Sequence, residues 1–197
     1  MIYDLFPIPV GFYNLDRELS AQELKTIHNL KTVRNTGNSV SESKTILKKK
    51  SLDKLKTFFN YSLQDYVDKT VSPVDSCRYY ITSSWANYST ETEFHFPHYH
   101  TNCLISAVFY VNAVKGRDCI EFEKKSTNML APNQKDYTPY NSTTWKFPVE
   151  TNQLIFFPAD LMHSVPPVGK GETRISISFN VFACGDIGNL KLKEESM

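Results

Sequence analysis

Three of the chain's five histidines lie in the stretch "HFPHYHTN", residues 95–102. On an extended strand, His98 and His100 would point to the same face, so their imidazoles could converge on one metal ion. Pro97 argues against a helix here and therefore against the helical histidine pair of zinc proteases. His95 is offset from the other two, and we expect it to be exposed or to support the site without binding metal. By itself, such a histidine pair is more often incidental than a metal site.

A third metal ligand would have to come from elsewhere, and His163 in "FFPADLMHSV" is the best candidate. A predicted buried strand ends at Pro158, and a short turn then brings in His163. Two nearby histidines and one distant histidine have the spacing of a facial triad. Such a triad occupies one face of an octahedral metal ion and leaves three positions open for oxygen chemistry.

The stretch "RISISFN" predicts a strand with one apolar and one polar face. Period-two alternation places Arg174, Ser176 and Ser178 on the face opposite to the isoleucines. An arginine inside a barrel is costly unless it is paired, and no carboxylate is evident on the neighbouring predicted strands. Two interpretations remain open: Arg174 binds a dicarboxylate ligand through a bidentate fork, or it lies at the barrel rim and pairs with a surface acid.

These candidate residues need a scaffold, and the pattern divides the chain into a helical support region, 1–75, and a strand-rich core, 76–185. The first predicted helix begins at a capping box formed by Ser20 and Glu23 and continues to Val33. A second covers "SLDKLKTFFNYSLQDYV", and the polar segment between them, 35–45, is predicted to be a mobile loop.

From about residue 76 the period changes to two, in short runs of β-branched and aromatic residues. No regular helix separates these runs, so the pattern favours a mainly β fold: a jelly roll, or double-stranded β-helix, with the N-terminal helices packed on one sheet. We expect one domain over residues 1–197. The polar and aromatic segment 124–144 is a candidate flap over the site.

Composition argues against several classes of function. The chain has 197 residues and a net charge of +1, which argues against a dedicated nucleic-acid surface or a polybasic membrane patch. No stretch resembles a signal peptide or a transmembrane span. The four cysteines are widely spread without a CxxC pair, which fits reduced thiols in the cytoplasm. We expect a cytoplasmic protein, and the pattern leaves its oligomeric state open.

Taken together, these motifs resemble the Fe(II)- and 2-oxoglutarate-dependent oxygenases, similar to the prolyl-hydroxylase type and to an uncharacterised bacterial and phage branch. The resemblance covers roughly residues 80–182. It implies that His98, His100 and His163 are the catalytic metal ligands and that Arg174 binds the far carboxylate of 2-oxoglutarate. The other co-substrate residues that it implies are Ser176, Tyr110, Tyr88 and Asn87. Position 100 departs from the family, in which a carboxylate is usual.

The resemblance implies an oxygenase that uses Fe(II), 2-oxoglutarate and O2 to hydroxylate an unknown peptide or small molecule, with succinate and CO2 as co-products. A histidine at position 100 would make the metal centre one charge more positive, or water would take its place. Two alternatives remain: a cupin-like three-histidine dioxygenase that needs no 2-oxoglutarate, and a non-catalytic jelly-roll binding protein.

Overall fold

A computed structural model describes residues 1–124 and 132–188. Within these residues the chain forms two α-helices, α1 (Ala21–His28) and α2 (Asp53–Thr70), and two short 3-10 helices, Ile46–Lys48 and Lys50–Leu52. It also forms strands β1 (Gly11–Asn14), β2 (Thr32–Arg34), β3 (Ser39–Ser41), β4 (Arg78–Thr90), β5 (His95–His98), β6 (Ile105–Asn112), β7 (Cys119–Glu123), β8 (Thr144–Pro148), β9 (Gln153–Pro158), β10 (Met162–Val165) and β11 (Thr173–Cys184).

The strands form two antiparallel sheets that enclose a cavity. The major sheet has the order β1-β9-β6-β11-β4-β3-β2, and the minor sheet has the order β5-β10-β7-β8. Residues of both sheets line the same cavity. The predicted jelly-roll architecture is therefore confirmed, and the cavity between the sheets is where ligands would bind.

Helix α2 packs on the outer face of the major sheet. The ring of Phe59 stacks on Phe179 at 4.9 Å between centroids and contacts Phe109 at 5.2 Å. All three side chains are fully buried. This apolar layer holds β6 and β11 from behind, so their polar faces turn toward the cavity.

Strand β11 shows the predicted alternation of faces. Its apolar residues join the core beneath the helices: Ile175, Ile177, Phe179 and Val181. Its polar residues line the cavity: Arg174, Ser176 and Ser178. Burial of one face under α2 sets the register of the strand, because a slip by one residue would exchange the two faces.

Helix α1 begins as predicted and ends early. The Ser20 side chain accepts from the Glu23 N–H, and the Glu23 carboxylate accepts from the Ser20 N–H. However, the helix ends at His28, and Val33 lies exposed in β2. The prediction of a helix through Val33 was wrong because β2 pairs with β3 at the sheet edge, and this tertiary pairing outweighs helical spacing.

The segment predicted to be a mobile loop, 35–45, contains β3. Ser39 and Val40 pair with Tyr88 and Asn87 of β4, and Ser41 is fully buried. The Ser41 hydroxyl accepts from the Ala86 N–H and donates to the Ser43 carbonyl, so its hydrogen bonds are satisfied although it is buried. The prediction was wrong because backbone pairing, and not a hydrophobic pattern, places this segment in the sheet.

The region 1–75 also contributes strands to the major sheet, since β1 pairs with β9 and β3 pairs with β4. The assignment of the whole chain to one domain stays a prediction. Residues 125–131 of the predicted flap lie outside the described residues, and its role as a cover for the site also stays a prediction. No helix in the described part of the chain is long and apolar enough to cross a membrane.

Candidate metal centre

Three histidines converge at one end of the cavity. Candidate ligand atoms of His98, His100 and His163 all lie within 4.8 Å of one another. His98 ends β5 and pairs directly with His163 of β10. His100 lies just beyond β5, where its backbone N–H donates to the carbonyl of Ala159 at 2.9 Å. The structure thus brings together the three histidines that the spacing had singled out.

Two of these rings are held by backbone carbonyls. The Nδ1 of His98 is 2.7 Å from the Phe96 carbonyl oxygen, and the Nδ1 of His163 is 2.9 Å from that of Leu161. A carbonyl only accepts, so each Nδ1 carries a proton and Nε2 is the nitrogen left to face a metal ion. Such outer hydrogen bonds orient histidines that bind metals. His100 is placed differently: its ring stacks on His163 at 5.2 Å and contacts Trp85 at 5.8 Å.

Burial keeps the imidazoles of His100 and His163 neutral. Desolvation, and then the nearby His98, lower the pKa of His163 to about 3 and that of His100 to about 4. Desolvation also lowers the pKa of His95, which lines the same cavity, to about 4. At neutral pH the rings of His100 and His163 are therefore in the form that binds a metal ion.

These lowered pKa values predict a pH-dependent stability of the metal-free protein. Below pH 6.5 the unfolded chain protonates its histidines while the folded protein keeps His95, His100 and His163 neutral. Protons therefore favour unfolding, and stability falls from pH 6.5 toward about pH 4. We expect urea unfolding to show a loss of about 1 kcal/mol or more per pH unit between pH 6.5 and pH 5. His95→Leu, which removes one buried ring, should have a shallower slope, and a flat profile for the unsubstituted protein would contradict the prediction.

The cavity that holds the cluster has a volume of about 350 Å³. Its minor-sheet wall carries His98 and His163, and its major-sheet wall carries polar side chains of β4, β6 and β11. Tyr110, Ser176 and Asn87 are register partners on these three strands, so they form one row across the sheet. Since all three line the cavity, the row faces the histidine cluster.

Arg174 begins the polar face of β11 and has a carboxylate partner. Its guanidinium is 4% exposed and donates from Nη1 to the Asp118 carboxylate at 2.8 Å and from Nη2 to the Pro166 carbonyl at 3.0 Å. Of the two interpretations left open by the sequence, the structure shows pairing with an acid, although Asp118 is buried and does not lie at the surface. Asp118 precedes β7 in a connection whose fold is held by its own hydrogen bond from the Val114 N–H, so the strand pattern did not reveal it.

The pairing with Asp118 does not use all the N–H groups of the Arg174 guanidinium. An arginine has about five N–H donors, and among the described residues two of those of Arg174 have partners. Beside it, the hydroxyl of Tyr110 is buried and has no hydrogen-bond partner in the described part of the chain. Burial raises the pKa of Tyr110, so the hydroxyl keeps its proton. Arg174 and Tyr110 therefore present unused donors to the same space.

Asn87 is in the cavity wall with its amide already engaged. Its Nδ2 donates to the Ser178 hydroxyl at 2.9 Å and to the Ser176 hydroxyl at 3.4 Å, and its Oδ1 accepts from the Trp85 indole at 3.1 Å. This network holds Asn87, Ser176 and Trp85 in fixed positions beside the cluster.

Tyr88 does not line the cavity, contrary to what the resemblance implied. Its hydroxyl donates to the Ile27 carbonyl at 2.5 Å, and its ring packs against the core under the helices. Because side chains alternate along β4, an inward Asn87 requires an outward Tyr88. The alternation of β4 was the signal in the sequence that could have separated the two.

The segment 35–45 supplies cavity residues that the pattern did not reveal, namely Asn35, Val40 and Lys44. The amine of Lys44 lies 5.7 Å from the centre of the Trp85 ring, within the range of a cation–π contact. His95 also lines the cavity, although it is outside the three-histidine cluster as expected. No periodic signal marked Asn35, Val40 or Lys44.

Comparisons with known proteins agree with this geometry. Residues 83–180 match the family model described as "Putative 2OG-Fe(II) oxygenase", and no curated protein matches the chain significantly. The chain is similar in structure to an oxidoreductase of the 2OG-Fe(II) oxygenase family from Burkholderia pseudomallei, with 12% identity over 87% of this chain and 84% of that chain and a TM-score of 0.59.

Two further solved structures were determined with bound groups. One is the epimerase SnoN in complex with Fe3+, alpha ketoglutarate and nogalamycin RO, with 14% identity over 96% of this chain and 88% of that chain and a TM-score of 0.64. The other is HygX from Streptomyces hygroscopicus with nickel and 2-oxoglutarate, with 11% identity over 89% of this chain and 83% of that chain and a TM-score of 0.60. At these identities the likeness is one of fold.

Proposed function

Because the core of this chain, residues 83–180, belongs to the 2OG-Fe(II) oxygenase superfamily, we propose that the protein is an Fe(II)- and 2-oxoglutarate-dependent oxygenase of the hydroxylase type. One observation carries the proposal: a three-histidine cluster and a set of unused hydrogen-bond donors share a single cavity. The cluster suits a divalent transition metal, and the donors suit an anion at the cavity wall.

His98, His100 and His163 would hold the iron, with His98 and His163 binding through Nε2 since each Nδ1 is engaged with a carbonyl. Three neutral ligands leave the full charge of Fe(II) at the centre, one unit more than a site with a carboxylate ligand. This extra charge favours binding of a dianionic co-substrate. When bound, Fe(II) and 2-oxoglutarate supply the oxidative step, in which O2 gives one oxygen atom to succinate, as CO2 leaves, and one to a substrate C–H bond, which becomes an alcohol.

The far carboxylate of 2-oxoglutarate would accept from the free N–H groups of Arg174 and from the Tyr110 hydroxyl. The fit rests on the buried Tyr110 hydroxyl, which has no partner among the described residues, and an unpaired buried donor costs free energy. Ser176 lies next to Tyr110 in register and completes this side of the pocket. The Asp118 carboxylate holds the guanidinium in place from behind through Nη1.

The size of the cavity bears on the primary substrate. About 350 Å³ is at the lower end of ligand-binding pockets, and 2-oxoglutarate would fill part of it. This space favours a small metabolite or a single side chain of a peptide over a bulky polymer. SnoN, which is similar in structure, is named as an epimerase. Hydroxylation by this chain must therefore be tested by identifying the reaction product.

The test is co-substrate turnover. Anaerobic addition of Fe(II) and 2-oxoglutarate should produce a weak visible charge-transfer absorption, and admission of O2 should then release succinate in amounts that depend on both additions. Mass spectrometry of a substrate found by this assay should detect one added oxygen atom. O2 consumption with Fe(II) alone would instead indicate the cupin-like alternative, and absence of any turnover or of co-substrate binding would favour a non-catalytic binding protein.

A further inference from the structure

His95 is turned into the cavity by an irregularity of β5. His98 pairs with His163, while His95 pairs with Val165, so three steps along β5 match two steps along β10. The extra residue is a β-bulge, which re-aims side chains locally. Under strict alternation His95 and His98 would face opposite sides, whereas here both line the cavity.

The hydrogen bond to Asn38 sets the tautomer of His95. Asn38 is fully buried, and its Nδ2 is 3.1 Å from the His95 Nε2. The Asn38 Oδ1 accepts from the Asn35 amide at 3.4 Å, which orients the Asn38 amide with its N–H toward the histidine. Nε2 therefore accepts, and Nδ1 carries the proton in the neutral ring.

The Nδ1–H of His95 has no acceptor in the part of the chain that the structure describes. It is buried and without a hydrogen-bond partner among the described residues, as is the Tyr110 hydroxyl. Burying a donor without an acceptor costs free energy. Both unpaired donors belong to residues that line the same cavity.

His95 also lies on the Arg174 side of that cavity. Arg174 donates to the carbonyl of Pro166, and Pro166 directly follows Val165, the register partner of His95. Arg174, Tyr110 and His95 all line this cavity, where Arg174 has N–H groups beyond its two hydrogen bonds and Tyr110 and His95 each have a donor without a partner among the described residues. A single carboxylate, with about four acceptor positions on its two oxygens, can accept from all of them.

We propose that His95 is a co-substrate-binding residue, whose Nδ1–H donates to the far carboxylate of 2-oxoglutarate alongside Arg174 and Tyr110. The proposal rests on the proposed function and deepens it. Asn38 acts as a positioning residue, since it holds the ring in the tautomer that donates.

The test measures binding of 2-oxoglutarate by calorimetry to protein loaded with Ni(II), which supports binding without turnover. His95→Leu removes the donor, and we expect it to weaken 2-oxoglutarate binding by about 10- to 100-fold, as for a hydrogen bond to a charged group. His95→Asn places an amide N–H close to the position of Nδ1, and we expect it to recover binding to within about 3-fold of the unsubstituted protein.

The Ni(II) affinity and the melting temperature of each variant are measured in parallel. Unchanged 2-oxoglutarate binding in His95→Leu overturns the proposal, and so does a loss in His95→Leu that is matched by an equal loss of Ni(II) affinity, because His95 would then act on the metal site. If the unsubstituted protein binds no 2-oxoglutarate, the proposed function fails. If it does bind, and Arg174→Met abolishes binding while His95→Leu leaves it unchanged, only the role of His95 fails.

Discussion

Replacement of His163 by alanine is expected to lower the affinity of the protein for Fe(II) by at least about 100-fold, since even residues that only support a ligand contribute about 10- to 100-fold. His163 is 4% exposed, and its ring centre lies 4.3 Å from that of His98 and 5.2 Å from that of His100. It is the member of the cluster that the strand pairing holds most firmly. Anaerobic titration against a competing chelator measures the affinity.

The chain offers a matched control in His28, an exposed histidine at the end of α1, and His28→Ala should keep the affinity of the unsubstituted protein. The same titration on His100→Ala decides the third ligand: an affinity loss comparable to that of His163→Ala makes His100 a ligand, whereas full retention of Fe(II) removes it from the metal. Wild-type affinity in His163→Ala itself would show that the cluster is not the metal site.

Replacement of Arg174 by methionine is expected to weaken 2-oxoglutarate binding by about 100-fold or more, because a bidentate charge-assisted pair is lost. It should also destabilise the fold by about 3–5 kcal/mol, since Asp118, 8% exposed, is left as an unpaired buried carboxylate. Calorimetry on the Ni(II)-loaded protein measures binding, and urea unfolding measures stability.

A second variant separates the two effects. In Arg174→Met with Asp118→Asn, no charge is left unpaired, so we expect stability to be largely regained while 2-oxoglutarate binding stays lost. Arg78→Met is the matched control, since Arg78 is exposed at the far end of β4, and it should change neither quantity. Undiminished 2-oxoglutarate binding in Arg174→Met would exclude Arg174 from the co-substrate pocket.

The pairing of Arg174 with Asp118 changes the reason for expecting a co-substrate at this place. An unpaired buried arginine would have required an anion, but the arginine already has one. The groups that still lack an acceptor are the neutral donors beside it, on Tyr110 and His95. Their buried polar atoms have no partner among the described residues. A preformed Arg174–Asp118 pair also holds the guanidinium rigid before the co-substrate arrives, which lowers the ordering cost of binding.

Much of the site could be predicted because it depends on local rules. Alternation along β11 places Arg174 and Ser176 on the same face. Because the helices cover the opposite, apolar face of the strand, these two side chains face the cavity. The capping box at Ser20 marks the start of α1 without reference to the rest of the molecule. The same alternation, applied to β4, would also have excluded Tyr88 from the pocket.

The sequence by itself determined the chemical groups of the site and the faces of the strands that carry them, since side-chain identity and period-two spacing are properties of short segments. Tertiary structure alone decided that Asp118 meets Arg174, that β3 enters the sheet through backbone pairing, and that a bulge in β5 turns His95 inward. Each of these depends on the register between segments far apart in the chain, and register is set only when the two sheets and the helices pack together.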